Sequence, residues 1–319
     1  MNRTVTYSPA YTLVPTYECF NRCTYCNFRR DPGADEWMSL AAASKILDGL
    51  LPDEVIEILI LSGEVHPQSA RRLEWFQRIY QLCELALKKG FLPHTNVGPL
   101  SYEEMAQLKH VNVSMGLMVE QMTPSLLKTV HAHAPSKLPE VRSQQLDFAG
   151  RLKIPFTTGL LLGLGETVDD WADSLGAIAQ SHHRHHHIQE VILQPHQPGT
   201  TQAEQRPPCH GETLLKAVKI AREILPTDIT IQIPPNLISS DDALLNCIKS
   251  GARDLGGIGP IDEVNPSYDH RRRESMSELL RAQGWTLRQR LPVYKKYDAW
   301  LPAPLRTAVH KHRQLHPTP

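Results

Sequence analysis

The sequence predicts an α/β fold, a full or partial (β/α) barrel of the TIM type with a C-terminal cap segment. Three observations carry that expectation. Short apolar runs alternate with amphipathic helical stretches over most of the 319 residues. Several of those runs are apolar on both faces, as strands are when buried in a parallel sheet between layers of helix. Polar and glycine-containing clusters follow one run after another, which would gather them at the C-terminal ends of the barrel strands, where barrels place their chemistry.

The expected strands cover residues 11–14, 57–61, 92–95, 111–116, 155–162, 190–194 and 228–233. The expected helices between them cover 40–51, 70–89, 102–108, 139–151, 168–180 and 212–225. Strand–helix alternation of this kind builds βαβ units. Residues 1–239 form the barrel core in this reading. Residues 240–319 are less regular, with GGIGPIDEVNP and one further helix–strand pair around 274–291, and are read as an extension packed on the same domain.

Composition excludes some classes of function. Lys plus Arg and Asp plus Glu each number 34, for a net charge of zero, so no electrostatic footprint points to nucleic acid or an anionic membrane. The basic run His270-Arg271-Arg272-Arg273 is local and is expected to be a solvated loop. No apolar run approaches the ~18 residues of a membrane span, and MNRTVTYSPAYTLVP has no apolar core of a signal peptide. A cytoplasmic location is expected. Thiols stay reduced there, so clustered cysteines mean metal or catalysis rather than disulfides. Cys83, Cys209 and Cys247 are scattered and read as incidental thiols.

The first expected strand leads into CFNRCTYCNF, which places Cys19, Cys23 and Cys26 at C-x3-C-x2-C. Three readings stand. The cysteines are incidental to a turn. Or they hold zinc, which in structural sites takes four protein ligands and so needs a remote fourth such as His66 or Cys209. Or they hold a four-iron four-sulfur cluster, which usually takes four cysteines. With three, one iron stays open to a chelating ligand from outside, and thiolates are the soft donors that such clusters select. Later strands are followed by Ser62-Gly63-Glu64, by the stretch from His94 to Gly98, by Gly163-Leu164-Gly165-Glu166, by Gln194-Pro195-His196 and by Pro234-Pro235-Asn236. The histidine-rich stretch SHHRHHH at 181–187 lies between a helix and the sixth strand. It is read as a solvated connection at the far end of the barrel rather than a metal tract.

With Tyr25 just before the last cysteine, the motif resembles the signature of the radical S-adenosylmethionine superfamily, which also follows the first strand of a barrel. The resemblance implies a 4Fe-4S cluster on Cys19, Cys23 and Cys26. Its open iron would be chelated by the amine and carboxylate of S-adenosylmethionine, and a 5′-deoxyadenosyl radical would take a hydrogen atom from substrate. It implies further roles by position. Ser62-Gly63-Glu64 resembles the Gly-Gly-Glu motif that holds the methionine amine. Glu120 falls where relatives place a carboxylate on the ribose, and Arg142 where they place an arginine on the methionine carboxylate. Gly163 and Gly165 resemble the strand-five motif that packs on the adenine. Tyr25 and Asn96 complete the cofactor-binding set. The plain alternatives are a turn at 62–64 and solvated helix charges at Glu120 and Arg142.

Longer stretches narrow the resemblance. TYSPAYTLVPTYECFNRCTYCNFR, SGEVHP, HTNVGPLS, VSMGLMVE, HAHAPSKLPEVR, IPFTTGLLLGLGET and IQIPPNL together resemble the CofG subunit of 7,8-didemethyl-8-hydroxy-5-deazariboflavin (Fo) synthase, from Thr6 to at least Pro266. That family implies a CofH-type partner subunit, which joins a 4-hydroxybenzyl unit from tyrosine to 5-amino-6-(ribitylamino)uracil. The present chain would take that adduct, abstract hydrogen, close the ring and release ammonia, as a carbon–nitrogen lyase. Reduced ferredoxin or flavodoxin is the electron donor so implied. The chain departs from the family at QPHQPGT, which is shorter, and in GGIGPIDEVNPSYDH, which matches in part. Gln194, Gln232, Asn236 and Asn265 are candidate partners for the uracil and the ribityl chain. Two other readings predict different outcomes: another radical enzyme of this barrel type, biotin-synthase-like or maturase-like, and a zinc-stabilised binding protein without radical chemistry.

Overall fold

The structure is a computed structural model that describes residues 3–51 and 54–315; the first two residues of the core segment and the last four of the C-terminal segment lie outside it. Its strands are β1 Thr4–Leu13, β2 Glu57–Leu61, β3 Leu92–Asn96, β4 Ser114–Gly116, β5 Phe156–Leu162, β6 Ile188–Pro195, β7 Thr230–Gln232, β8 Ala252–Ile258 and β9 Thr286–Gln289. Its helices are α1 Leu40–Asp48, α2 Arg72–Lys88, α3 Tyr102–Leu108, α4 Pro139–Arg151, α5 Val168–His185, α6 Gly211–Ile224, α7 Asp241–Lys249, α8 Arg273–Ala282 and α9 Ala303–Leu315.

Strands β1 to β8 run parallel and close into a barrel, β1 pairing with β2 on one side and β8 on the other. The apolar runs buried on both faces are its walls: every residue of β5 is buried. The helices start where short polar side chains can cap them. Ser39 accepts from Ala42 N and Ser240 from Ala243 N. Ser101 with Glu104 and Thr167 with Asp170 form reciprocal capping boxes. The apolar helix faces, including Trp75, Ile79 and Leu82 of α2 and Leu175 and Ile178 of α5, pack on the outer face of the barrel in one continuous core. Among the described residues no helix is long and apolar enough to cross a membrane.

The structure differs from the sequence expectation in four places. β1 begins at Thr4, seven residues early. Its first half pairs with β9 (Thr4–Tyr7 against Thr286–Gln289) and its second half with β2. The eighth strand, β8, lies past residue 239, so a boundary there falls between β7 and β8 and cuts the barrel. Of the rest of the C-terminal segment, α7 and α8 join the main core through Leu244, Ile248, Met276 and Leu280, and the final stretch packs beneath the barrel, where Leu291, Val293, Tyr297, Leu305 and Val309 meet Ile56, Leu92 and Val113. The histidine tract is not a solvated connection. It carries α5 to His185, with His182 and His187 buried. The imidazole of His182 stands 3.2 Å from Asp228 and accepts from Ile188 N at 3.2 Å. Nor is Arg271 solvated: it donates to the carbonyls of Pro235 and Ile238, each at 3.0 Å, and pairs with Asp241.

Candidate active site

The loop between β1 and α1 carries the three cysteines, and backbone hydrogen bonds hold it across the barrel mouth. Phe20 N donates to Glu64 O at 3.0 Å, Arg22 N to His133 O at 2.7 Å and Thr24 N to Val130 O at 3.1 Å. A tight turn (Cys26 N to Cys23 O, 3.2 Å) brings the second and third cysteines together. All three line one cavity of about 320 Å³ at the C-terminal ends of the strands. Tyr25 lines it too, its ring packed edge-on to His131 and its hydroxyl 3.1 Å from His131 Nε2. Burial pushes the Cys23 thiol up to about 12 and raises Cys19 and Cys26. In so dry a pocket the thiols ionise when a metal cation takes the place of the proton. Backbone Phe28 N points at Cys26 Sγ (3.4 Å) and the Asn21 amide at Cys19 Sγ (3.7 Å), donors suited to sulfur that carries charge.

The zinc reading lacks its fourth ligand. Neither His66 nor Cys209 lines this cavity. His66 lies edge-on to Phe20, with Nδ1 accepting from Gln68 N, and Cys209 lies against Gly163. Among the described residues no three His, Cys, Asp or Glu side chains converge on a single ion.

Beside the cysteines, two acids, Glu64 and Glu120, meet two bases, the buried Arg142 and Lys137, the acids and the lysine being partly buried. Glu64 follows β2 through Ser62 and Gly63. Ser62 Oγ accepts from Trp75 Nε1 at 2.9 Å, and a Cβ on Gly63 would overlap the Glu18 carbonyl. Glu64 accepts from Asn21 Nδ2 at 2.8 Å, from an Arg142 NH2 group at 3.1 Å and from Ser136 Oγ. Arg142 enters from the first turn of α4 and is 1% exposed. It also reaches Ser136 Oγ at 3.2 Å, while its Nε–H has no partner among the described residues. Lys137 donates to Glu120 at 2.6 Å. Glu120 adopts φ 67°, a left-handed conformation unusual for its residue type, and hydrogen-bonds on both sides to β5. Burial alone would raise both carboxyls. The Arg142 and Lys137 charges outweigh it and hold Glu64 and Glu120 below the ordinary range. Burial and the Arg142 charge pull Lys137 down, yet the surrounding acids leave it raised.

A wall of acceptors and donors in equal number suits a zwitterionic ligand. Glu64 is an acceptor such a ligand's ammonium could use, and the Arg142 guanidinium a donor for its carboxylate. With the three thiols on the same cavity, the donor set fits an iron–sulfur cluster and S-adenosylmethionine. Asn21 and Lys137 were not singled out in the sequence. Each acts on an acid distant in the chain, and no local spacing announces that.

The remaining sequence-derived residues divide. Asn96, Gln194 and Asn265 line the cavity with the cysteines, whereas Gln232 and Asn236 line a second chamber of about 180 Å³ in the barrel axis. The amide of Asn236 donates to Asp262 at 2.8 Å and that of Asn265 to Asp262 at 3.2 Å, tying down the loop after β8. Gly163 and Gly165 line neither cavity. Their φ values of 92° and 111° let the chain turn so that Gly163 N and Leu164 N reach the Glu166 carboxylate, each at 2.7 Å. Leu161 is the strand-five residue on the cavity.

The family model of the radical SAM superfamily matches residues 13–178. The 7,8-didemethyl-8-hydroxy-5-deazariboflavin synthase of Trichormus variabilis is 63% identical over 310 residues, 97% of this chain and 91% of that protein. The protein of the same name from Thermosynechococcus vestitus is 59% identical, over 97% and 98% of the two chains. Among solved structures, the FeFe-hydrogenase maturase HydG from Carboxydothermus hydrogenoformans aligns with a TM-score of 0.74 at 16% identity, covering 99% of this chain and 75% of that one. Methylornithine synthase aligns at 0.68 with 13% identity, over 94% and 87%. At those identities the likeness is one of fold: the two structures share the barrel. The chain belongs to the radical SAM superfamily, whose members use S-adenosylmethionine and an iron–sulfur cluster, and within it to the family of 7,8-didemethyl-8-hydroxy-5-deazariboflavin synthases.

Proposed function

We propose that the protein converts the 4-hydroxybenzyl adduct of 5-amino-6-(ribitylamino)uracil to Fo with release of ammonia. The observation that carries this reading is identity of 63% to a synthase of that product over nearly the whole of both chains. Cys19, Cys23 and Cys26 would hold a 4Fe-4S cluster with one open iron. When bound, that cluster and S-adenosylmethionine supply the one-electron chemistry and the hydrogen abstraction.

This chain's own residues bind, orient and exclude water. Glu64, kept ionised by Arg142 and Lys137, accepts from the methionine ammonium, while Arg142 turns its free Nε–H to the methionine carboxylate. Glu120 accepts from the ribose hydroxyls, and Lys137 keeps it charged and fixed. Leu61, Met118 and Leu161 give the cavity apolar walls that keep water from a reactive carbon centre. The balance is that of a two-electron oxidation. The adduct gives up ammonia and two hydrogens, and S-adenosylmethionine is the acceptor, leaving as methionine and 5′-deoxyadenosine. A CofH-type partner supplies the adduct, and reduced ferredoxin or flavodoxin supplies the priming electron, which the oxidised substrate returns, so that it is not consumed in the net balance.

The test is anaerobic reconstitution with iron and sulfide, followed by S-adenosylmethionine, a reductant and the adduct. Fo fluorescence and 5′-deoxyadenosine are expected to rise together, and both are lost in Cys23→Ala. Deoxyadenosine without Fo would move the substrate elsewhere. Activity surviving in Cys23→Ala would overturn the chemistry.

A further inference from the structure

The interior of a (β/α) barrel is ordinarily filled by layers of side chains. Here the axis below the cysteines holds the second chamber, of about 180 Å³. It shares Leu59, Leu61, Asn96, Met118 and Ile192 with the cavity above, so a largely apolar waist joins the two. Below the waist the walls turn polar, with Glu57 from β2, His94 from β3, Thr157 from β5, Glu190 from β6, Gln232 from β7 and Arg290 from the chain after β9.

The charges at this floor do not cancel. Arg290 is already shared between Asp254, which takes its Nε–H and an NH2 group at 2.6 and 2.9 Å, and Glu190 at 2.6 Å. Glu57 is 7% exposed and belongs to no ion pair among the described residues. One guanidinium thus stands beside three carboxyl groups and pairs with two of them, and Glu57 and Glu190 face the chamber. A ligand seated there must bring hydrogen-bond donors and no negative charge.

We propose that the lower chamber holds the ribityl chain of the substrate, its hydroxyls donating to Glu57 and Glu190 while the rings sit at the apolar waist beneath the cysteines. The inference rests on the substrate reading above and goes beyond it in direction and selectivity. A phenol oxygen is directed away from the acidic floor, and a 5′-phosphate ester of the same polyol is rejected, since its dianion would meet two carboxyl groups. Burial raises the Glu57 carboxyl, and raises Glu190 to about 7 against the pull of Arg290, in keeping with a floor short of positive charge.

The experiment compares three adducts on the wild-type holoenzyme, carrying the ribityl chain, a hydroxyethyl chain in its place, and the ribityl 5′-phosphate. Equilibrium binding is measured by anaerobic calorimetry beside kcat and KM. The hydroxyethyl adduct is expected to bind at least about tenfold more weakly, the loss of one charge-assisted hydrogen bond or more, with the smaller change in kcat. The phosphate ester is expected not to bind at concentrations that saturate the parent. Glu57→Gln should raise KM about tenfold for the ribityl adduct and leave the hydroxyethyl adduct unchanged. Equal binding of ribityl and hydroxyethyl adducts, or of the phosphate ester, overturns the proposal. If Glu57→Gln does not fold, the wild-type series still decides. If no adduct is turned over yet the ribityl compound binds more tightly than the hydroxyethyl one, the reaction assignment fails and the chamber assignment stands.

Discussion

Gly63 has no room for a methyl group. A Cβ there would overlap the Glu18 carbonyl oxygen and lie 2.6 Å from its carbon, and backbone cannot swing aside as a side chain can. Gly98 shields the same acid from the other side, since a Cβ there would stand 2.7 Å from Glu64 Cδ. Gly63→Ala is therefore expected to cost about 1–3 kcal/mol of stability and, by displacing Glu64, to weaken S-adenosylmethionine binding by more than about tenfold. Equilibrium binding to the reconstituted protein, read beside its melting temperature, separates the two effects; unchanged binding would mean that Glu64 does not hold the ligand. The sequence exposes Gly63 and Glu64 because they act together within a three-residue turn, and it exposes the cysteines by their spacing. It hides Asn21, 43 positions from its partner Glu64, and Lys137, 17 from Glu120. Gly163 and Gly165 mislead for a related reason: a glycine needed for left-handed backbone looks the same in sequence as one needed for ligand approach.

At the scale of elements, β9 is legible as the strand of the pair around 274–291, whereas β8 is not, and the two set the barrel floor. β8 is ARDLGGI, with an adjacent arginine and aspartate and two glycines, a poor strand by composition. In the fold Asp254 is neutralised by Arg290, 36 residues on, and Gly257 lets β8 close on β1, where a Cβ would stand 3.1 Å from that of Ala10. The pairing of β9 with the first half of β1 is what carries Arg290 under the barrel. Arg290→Met would leave Asp254 and Glu190 buried without their cation. Removing one partner of a buried pair costs about 3–5 kcal/mol, so the urea midpoint should fall steeply at pH 8. Part of the loss should return near pH 6, because Glu190, already raised, takes up a proton once the guanidinium is gone. A variant as stable as the wild type at pH 8 would show that solvent reaches these carboxylates.

For the molecule as a whole, 34 basic and 34 acidic residues cancel, so the pH dependence of stability is set by buried groups rather than by net charge. Burial, with Arg290 adding to it, lowers His94 to about 3, and burial, with the neighbouring His185, lowers His187 to about 3. An unfolded chain protonates histidine near 6.5. Between pH 6.5 and 3 the unfolded chain thus holds protons that the folded protein refuses. The stability from these two histidines is complete above about pH 6.5 and is lost, as pH falls, at about 1.4 kcal/mol per unit for each. Glu190 acts with the opposite sign. Raised to about 7, it is protonated in the folded protein while the unfolded chain stays ionised down to about 4.3, so it offsets one histidine over that window. From these three groups alone the expected change is a loss of about 2 kcal/mol between pH 6.5 and 5. His187→Leu removes one titrating group at similar volume, far from the cysteines, so any pH effect on the cluster is common to both proteins. Melting temperatures of the anaerobic wild type and variant should lie close together at pH 7.5 and diverge toward pH 5, where the variant should be more stable by about 2 kcal/mol. Curves that fall in parallel would mean that His187 takes up a proton in the folded protein as readily as in the unfolded chain, and that the end of α5 opens to water in acid.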